Sequence, residues 1–272
     1  MTETARVLVT VKASPEPSST YLETVCVAGV RLDRGSPEWI RLYPVPFRLL
    51  EGPNKFNKFE VVEVDVNRST KDPRAESYRP VLDSIKPVQA PLSVKARGAL
   101  LEPMVTNTMC GLRAGVQRDI NGPSLGIIRP ARVKTLLFER HPGWTAKQVG
   151  AMRNFASQPM LGAPGASPNL LEAPRFEVRY EYLCEELDCK GHKQRILDWE
   201  LVAFERRLSK MADSEAKQKI TERFYDMICS DEKRTHFFVG NFADAQKRKN
   251  FSVLGMYYPP AASDYGATLF DF

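Results

Sequence analysis

The chain contains few of the residues on which disulfide-rich or membrane-embedded folds depend. Among its 272 residues are five cysteines and three histidines. An odd number of widely spaced cysteines does not predict a disulfide framework. No run approaches the ~20 apolar residues of a membrane-spanning helix, and the polar first residues lack the pattern of a secretory signal. We therefore expect a cytoplasmic protein with no membrane partner.

Several nucleotide and protease signatures are also missing. The chain has no Gly-x-Gly-x-x-Gly fingerprint, no phosphate-binding loop and no His-Glu-x-x-His helix. These absences disfavour P-loop ATPases, nucleotide-dependent kinases and the commonest zinc proteases.

The composition supports a folded core and permits a polyanionic partner. Hydrophobic residues make up 43% of the chain and aromatic residues 10%, which argues against global disorder. The net charge is +6 and the isoelectric point is near 9.0. A moderately basic balance of this kind permits nucleic acid or another polyanion as a partner.

The pattern of short strands and helices predicts an α+β fold. β-branched or alternating segments separated by Pro/Gly turns predict strands over residues 6–12, 23–32, 39–42 and 59–67. We expect them to form a small twisted sheet or a barrel.

The C-terminal part is predicted to contain a strand, two helices and a hairpin. The strand spans residues 175–183, and the helices span 196–208 and 213–228, the second capped by Asp213. Residues 236–240 and 251–258 form the hairpin. A further helix is expected from the cap at Thr145 to about Ser157.

The richest Pro/Gly/Ser stretch suggests how the chain is divided. We predict a β-rich N-terminal region over residues 1–157, a linker over 158–174 and an α+β region over 175–272.

A local group of cysteine and histidine is the best metal candidate. Cys184, Cys189 and His192 lie within nine residues, and Gly191 permits a tight turn between the last two. A closed zinc site needs a fourth ligand, for which Cys229 and His236 are the candidates. If neither reaches the site, water would complete a catalytic zinc centre. The alternative is a turn with reduced, buried cysteines, in which His192 opens a helix.

Four segments resemble a family of uncharacterised bacterial proteins. They are residues 12–29 with the Trp-Ile-Arg-Leu-Tyr-Pro-Val-Pro-Phe-Arg run at 39–48, the Cys-Lys-Gly-His and Asp-Trp-Glu run at 189–200, and His-Phe-Phe-Val-Gly-Asn at 236–241. The resemblance covers most of the chain. It implies no activity and assigns no catalytic residues.

Acidic residues beside the Cys/His turn are candidates for general acid–base chemistry. Asp198 and Glu200 are two residues apart, and on a helix they would point to opposite sides, so at most one could face a shared site. Either could act as a base or orient His192. The alternative is a solvated helix face with Trp199 half-buried.

Aromatic and basic residues suggest where nucleic acid would bind. Tyr43 and Phe47, bracketed by Arg41 and Arg48, can offer stacking faces and phosphate contacts, and Trp199 is a further stacking candidate. Basic residues at the predicted hairpin tip are a second candidate: Lys247, Arg248 and Lys249. Ordinary surface charge is the alternative at both places.

Together these features predict a nucleic-acid-associated protein, with DNA favoured. A catalytic version would be a hydrolase such as a base-removing glycosylase, using Asp198, Glu200 or His192. The alternatives are a non-catalytic zinc-knuckle binding module, a nuclease or a small-molecule enzyme.

Overall fold

Seven short strands of the N-terminal part form one sheet, and five of them close into a barrel. The computed structural model describes residues 2–18, 22–47, 50, 52–157 and 170–262. The strands are β1 (Glu3–Lys12), β2 (Glu16–Ser18), β3 (Leu22–Arg31), β4 (Glu38–Val45), β5 (Val61–Arg68), β6 (Ser77–Pro80) and β7 (Lys86–Gln89). The ring runs β1-β3-β4-β6-β5 and closes where β5 pairs with β1. This confirms the predicted barrel-like β region.

Strict alternation along the strands gives the barrel two apolar faces. In β1, Ala5, Val7 and Val9 belong to the cluster that fills the barrel. Leu8, between them, points to the other face and joins a second cluster outside. Because side chains alternate across a strand, both faces of β1 must be covered to keep these residues from water.

Two three-stranded sheets make up the rest of the β structure among the described residues. The strands are β8 (Leu125–Ile128), β9 (Pro130–Arg140), β10 (Phe176–Cys184), β11 (His192–Arg195), β12 (His236–Asn241) and β13 (Phe251–Tyr257). One sheet has the order β11-β10-β9 and the other β13-β12-β8, and all their pairings are antiparallel. The predicted hairpin near the C-terminus is confirmed as β12–β13.

Five α-helices surround these sheets within the described part of the chain. They are α1 (Val94–Leu101), α2 (Met109–Arg118), α3 (Ala146–Ala156), α4 (Trp199–Arg207) and α5 (Asp213–Thr221), which continues as a π-helical turn, Glu222–Met227. The predicted cap at Thr145 is confirmed, with Gln148 completing a capping box. None of these helices combines the length and apolar character that crossing a membrane requires.

One predicted helix start and one predicted helix cap are wrong. Residues 196–198 are extended, so α4 begins at Trp199 with Asp198 as its N-cap. Backbone hydrogen bonds to neighbouring strands keep Ile196 and Leu197 in an extended conformation. For α5 the N-cap position is Ala212, and Asp213 lies in the first turn, where its carboxylate accepts from Arg175 and Arg140.

The barrel packs directly on the β13-β12-β8 sheet. Leu8 and Val30 of the barrel share one apolar cluster with Ile127, Phe238 and Leu254. The segment 196–198 reinforces this contact, since the backbone N–H of Ser14 donates to the carbonyl of Leu197 at 2.9 Å. The barrel and the β13-β12-β8 sheet therefore share a core.

The strand pairing divides the chain at a different place from the one that its composition predicted. β8 and β9, which composition assigned to the N-terminal region, pair with β12 and β10. Most of the predicted linker, residues 158–169, lies outside the described residues. The change from one sheet system to the next falls between β7 and β8.

The barrel wall leaves no room for a side chain at Gly29. A Cβ atom there would lie 2.2 Å from the carbonyl oxygen of Leu8. We expect Gly29→Ala to lower the free energy of unfolding by about 1–3 kcal/mol, because the backbone must move to relieve the clash. Urea denaturation followed by circular dichroism measures the change.

Gly35→Ala is the matched control, since nothing lies within 4 Å of a Cβ atom at that position. It should alter stability by less than about 0.5 kcal/mol. Equal stability of the two variants would contradict this account of the barrel wall.

Candidate functional site

Three cysteines and one histidine gather beside the end of the β10–β11 hairpin. The ligand atoms of Cys110, Cys184, Cys189 and His192 all lie within 4.8 Å of one another. His192 Nε2 is 3.5, 3.4 and 3.3 Å from the sulfur atoms of Cys110, Cys184 and Cys189. Bond lengths of ~2.3 Å to sulfur and ~2.0 Å to nitrogen place these atoms about 3.5 Å apart around a tetrahedral zinc ion. The cluster therefore has the spacing of a four-coordinate metal centre.

The hairpin supplies three of the four residues. Cys184 ends β10 and His192 opens β11, so the predicted gathering of these residues with Cys189 is confirmed. Gly191 has φ +96°, a backbone conformation that is unfavourable for any residue with a Cβ atom. The sulfur of Cys189 accepts backbone N–H groups of Cys184 and Gly191, both at 3.4 Å. The reading in which His192 opens a helix is wrong.

Helix α2 supplies the fourth residue. Cys110 lies in its first turn, after the N-cap Thr108, whose side chain accepts from the N–H of Gly111. The Thr108 hydroxyl also donates to Glu186 at 2.9 Å, which ties the helix start to the hairpin loop. In the sequence, Thr108 is a typical N-cap residue, and it predicts that Cys110 lies in the first turn of a helix.

The surroundings shift the pKa values of Cys110 and Cys189 in opposite directions. Burial, reinforced by Cys184 and Cys189, raises the pKa of Cys110 to about 12. Burial also acts to raise the pKa of Cys189, but N–H groups and neighbouring thiols outweigh it and lower that pKa. Burial, together with the charge of Arg113, lowers the pKa of His192 and favours the neutral imidazole that metals bind.

Neither predicted fourth ligand belongs to the cluster. The sulfur of Cys229 lies 3.9 Å from the carbonyl oxygen of Phe224, in the turn that ends the α5 helix. His236 is fully buried at the start of β12, with its Nε2 3.5 Å from Glu102. The prediction that either completes the ligand set is wrong because both are held by other parts of the core.

A cleft of about 1140 Å³ opens between the barrel and the β12–β13 hairpin. It is larger than most small-molecule pockets, which run from ~300 to ~1000 Å³. Tyr43 from β4 and Phe242 after β12 line it with exposed aromatic rings. The Tyr43 hydroxyl is 3.2 Å from the Thr24 hydroxyl, which anchors the end of the ring and leaves half of the side chain open.

Cationic residues outnumber acidic ones along this cleft. Arg68, Lys71 and Arg79 are exposed in its lining, whereas Arg41 and Arg74 are buried there. The two acidic lining residues are Glu16 and Asp72. Asp72 is committed to Arg74, which it contacts at 2.5 to 3.1 Å. Burial would raise the pKa of Asp72, but hydrogen bonds from Arg74 and Ser77 lower it to about 2.

The residues predicted to contact nucleic acid are dispersed. Arg41 and Tyr43 line the cleft, but Phe47 packs against Phe56 and Trp199 at centroid distances of 5.1 and 5.5 Å. These three rings join the cluster that fills the barrel. Arg48 lies outside the described residues.

At the hairpin tip, Lys247 and Lys249 are exposed and Arg248 is buried. Arg248 donates to the carbonyl oxygens of Ala243 and Ile120, at 3.1 and 2.8 Å for the closest nitrogens. It holds the hairpin loop, so its side chain does not face solvent as a phosphate contact would.

The three predicted catalytic residues do not converge. His192 belongs to the Cys/His cluster, whereas Asp198 is 1% exposed and caps α4. Lys58 Nζ lies 3.6 Å from Asp198 and 3.8 Å from Glu200. Burial, with a contribution from Glu200, raises the pKa of Asp198 to about 6 although Lys58 opposes the shift. None of the three lines the cleft.

A serine motif spans the start of β8. Residues 122–126 read Gly-Pro-Ser-Leu-Gly, the spacing of a nucleophile elbow. Ser124 is fully buried, its hydroxyl donates to Glu76 at 3.1 Å, and it accepts from Arg41 at 3.2 Å. It also precedes a strand rather than a helix, so it is a structural serine.

A family model described as "Domain of unknown function (DUF8757)" matches residues 105–271, more than half of the chain. The chain belongs to this family. A second model, "Domain of unknown function (DUF8758)", matches residues 3–103. The Cys/His cluster lies within the DUF8757 match and the barrel within the DUF8758 match, while the cleft draws on both. A search of the curated proteins finds no match.

Asp198 should make stability fall as pH rises from about 4 to about 6. The folded state holds the Asp198 proton up to about pH 6, whereas the unfolded chain releases it near 3.8. Since the folded state binds more protons in that window, raising the pH favours unfolding, by on the order of 3 kcal/mol in total. Asp198→Asn should flatten this slope while keeping the cap, because asparagine is also a good N-cap residue.

Urea denaturation at several pH values measures the slope. Asp231→Asn removes the same charge at an exposed position and should keep the wild-type slope. An unchanged slope in Asp198→Asn would contradict the assignment.

Proposed function

We propose that this protein binds single-stranded nucleic acid along the cleft and that a zinc ion in the Cys/His cluster braces its C-terminal part. The observation that carries the proposal is the pair of exposed aromatic rings, Tyr43 and Phe242, in a cleft with a surplus of cationic residues.

Aromatic rings at a cleft surface suit unpaired bases. Stacking of a base on an aromatic side chain contributes ~1–3 kcal/mol and tolerates any base. In a duplex the base faces are covered by neighbouring bases, so they cannot stack on Tyr43 or Phe242. The ligand of the cleft is therefore single-stranded, and DNA and RNA are both candidates.

The exposed cations supply the backbone contacts. Lys71 and Arg79 line the cleft, and Arg68 lies over the ring of Tyr78 at 4.9 Å. Cations of this kind attract phosphates without regard to sequence, and their contribution weakens as salt rises. Such a lining favours binding of a polyanion over an apolar small molecule.

A zinc ion would close the cluster rather than catalyse. Three thiolates and one imidazole fill the four positions of a tetrahedral ion, which is the composition of structural zinc sites. No position remains for a water molecule. Zinc would then link α2 to the β10–β11 hairpin.

The catalytic alternatives lack a supporting observation. Asp198 and Glu200 lie by Lys58 at the end of the barrel filled by Phe47 and Trp199. His192 is occupied in the cluster. A glycosylase or nuclease would need one of these groups beside a bound base or phosphate. The non-catalytic binding module is the function that the geometry supports.

Loss of the cleft aromatics should weaken binding of an oligonucleotide of mixed sequence. We expect Tyr43→Ala with Phe242→Ala to reduce affinity at least tenfold, because each ring contributes ~1–3 kcal/mol of stacking. Lys71→Ala with Arg79→Ala should reduce affinity and also make the dependence on salt less steep. Fluorescence anisotropy with labelled DNA and RNA, at two or more salt concentrations, measures both effects.

The control for charge is Arg132→Ala with Lys193→Ala. Both residues are exposed on the β9 and β11 strands, outside the cleft lining. This pair removes the same charge as Lys71 and Arg79 and should leave affinity nearly unchanged. Equal losses from both pairs, or no oligonucleotide binding by the wild type, would overturn the proposal.

The zinc assignment predicts one zinc ion per chain in the purified protein. Cys110→Ser should lose most of it, because removing one ligand leaves an incomplete set. Inductively coupled plasma mass spectrometry measures the metal content. Chelation should also lower the melting temperature of the wild type, since an ion bound only by the folded state stabilises it.

Cys229→Ser is the control, because this cysteine lies outside the cluster. It should retain the ion. A wild-type protein that binds no zinc even when zinc is supplied, or a Cys110→Ser variant that keeps it, would rule out the proposed centre.

A further inference from the structure

Two buried polar side chains lie at the floor of the cleft. Arg41 from the barrel is 4% exposed and Asn241 from β12 is 5% exposed, and both line the cleft. Arg41 Nη2 and the backbone N–H of Asn241 both donate to the carbonyl oxygen of Ser124, each at 3.1 Å. Sharing this acceptor places the guanidinium group of Arg41 close to the backbone of Asn241.

Each of these side chains has a donor with no partner among the described residues: Arg41 Nε and Asn241 Nδ2. The orientation of the Asn241 amide follows from Arg74, whose Nη1 lies 3.2 Å from Asn241 Oδ1. Arginine only donates, so the amide oxygen must face it and the amide nitrogen is the free group. A buried donor without an acceptor is costly, and few occur in folded proteins.

Two of the other buried arginines are paired with carboxylates, whereas Arg41 is not paired with any carboxylate of the described residues. Arg74 is neutralised by Asp72, and Arg31 by Glu3 and Asp33. In contrast, Arg41 contacts only neutral groups in the described structure, Ser124 and the thiol of Cys26. Arg248 also lacks a carboxylate, but each of its nitrogens has an acceptor.

A buried cation with an unused N–H favours an anionic acceptor. A phosphate group carries both the charge and several acceptor oxygens, and it fits arginine particularly well. Asn241 Nδ2 adds a second donor beside it. The floor therefore has the chemistry of a phosphate site.

We infer that the floor formed by Arg41 and Asn241 binds a terminal phosphate of the nucleic acid. An internal phosphodiester has a sugar on each side, which keeps it near the cleft surface with Lys71 and Arg79. A phosphate at a strand end has one free side and can approach the floor, where rotation of the Arg41 and Asn241 side chains would bring the two buried donors to it. This inference rests on the proposed function and names the part of the ligand that the floor selects.

The test compares one short single-stranded oligonucleotide in three forms: with a 5′-phosphate, with a 3′-phosphate and with neither. We expect one phosphorylated form to bind the wild type about tenfold more tightly, as for hydrogen bonds to a charged group. Asn241→Asp should abolish this preference. It replaces the free donor by an oxygen and keeps an oxygen facing Arg74, so the fold is retained. The added negative charge of Asn241→Asp weakens binding of every oligonucleotide, so the quantity compared is the ratio of the affinities for the phosphorylated and unphosphorylated forms.

Asn121→Asp is the matched control. Asn121 Oδ1 lies 3.4 Å from the buried Arg248, outside the cleft lining, and this variant should keep the preference. Equal binding of the three oligonucleotides by the wild type would overturn the inference and leave the proposed function standing. A preference that survives in Asn241→Asp would also overturn it.

A nucleoside monophosphate, titrated by calorimetry, separates the remaining outcomes. If it binds the wild type but not Asn241→Asp, and no oligonucleotide binds, the floor is a phosphate site for free nucleotides and the proposed function fails. If neither ligand binds, both the inference and the proposed function fail.

Discussion

Three extended residues, Ile196, Leu197 and Asp198, connect the three sheets of this protein. The N–H of Ile196 donates to Val178 in β10, the N–H of Leu197 to Val253 in β13, and the carbonyl of Leu197 accepts from Ser14 beside the barrel. These bonds, together with the apolar cluster shared by the barrel and the β13-β12-β8 sheet, hold the barrel and the two sheets in position. The cleft depends on them too, because Leu197 and Ser14 both line it.

Local patterning predicted much of the fold, and its failures have a physical cause. Alternation in β10 places Phe176, Val178 and Tyr180 in the core, and the period-2 pattern is visible without any partner. Leu197 fits the apolar stripe of α4 equally well, yet it is extended. Hydrogen bonds from distant strands decide its conformation, and periodicity contains no information about them.

The candidate site divides in the same way. Cys184, Cys189 and His192 are neighbours in sequence, so their convergence follows from one hairpin. Cys110 is 82 residues from His192 in the sequence. It reaches His192 because the N-terminal end of α2 packs against the β10–β11 loop, where Thr108 donates to Glu186. Similarly, the position of Tyr43 beside two prolines predicted an aromatic ring at the surface. The burial of Arg248, in contrast, depends on how its loop folds back on Ile120.

The continuous barrel has a consequence for biosynthesis. The five strands of its ring are complete at Pro80, so the barrel can close while later residues are still being translated. Its outer apolar face, with Leu8 and Val30, is covered only by the α1 segment, through Leu100 and Leu101, until β8, β12 and β13 have emerged. The nascent chain therefore passes through a stage in which this face is open to chaperones or to aggregation, and the stage ends when β13 is released from the ribosome.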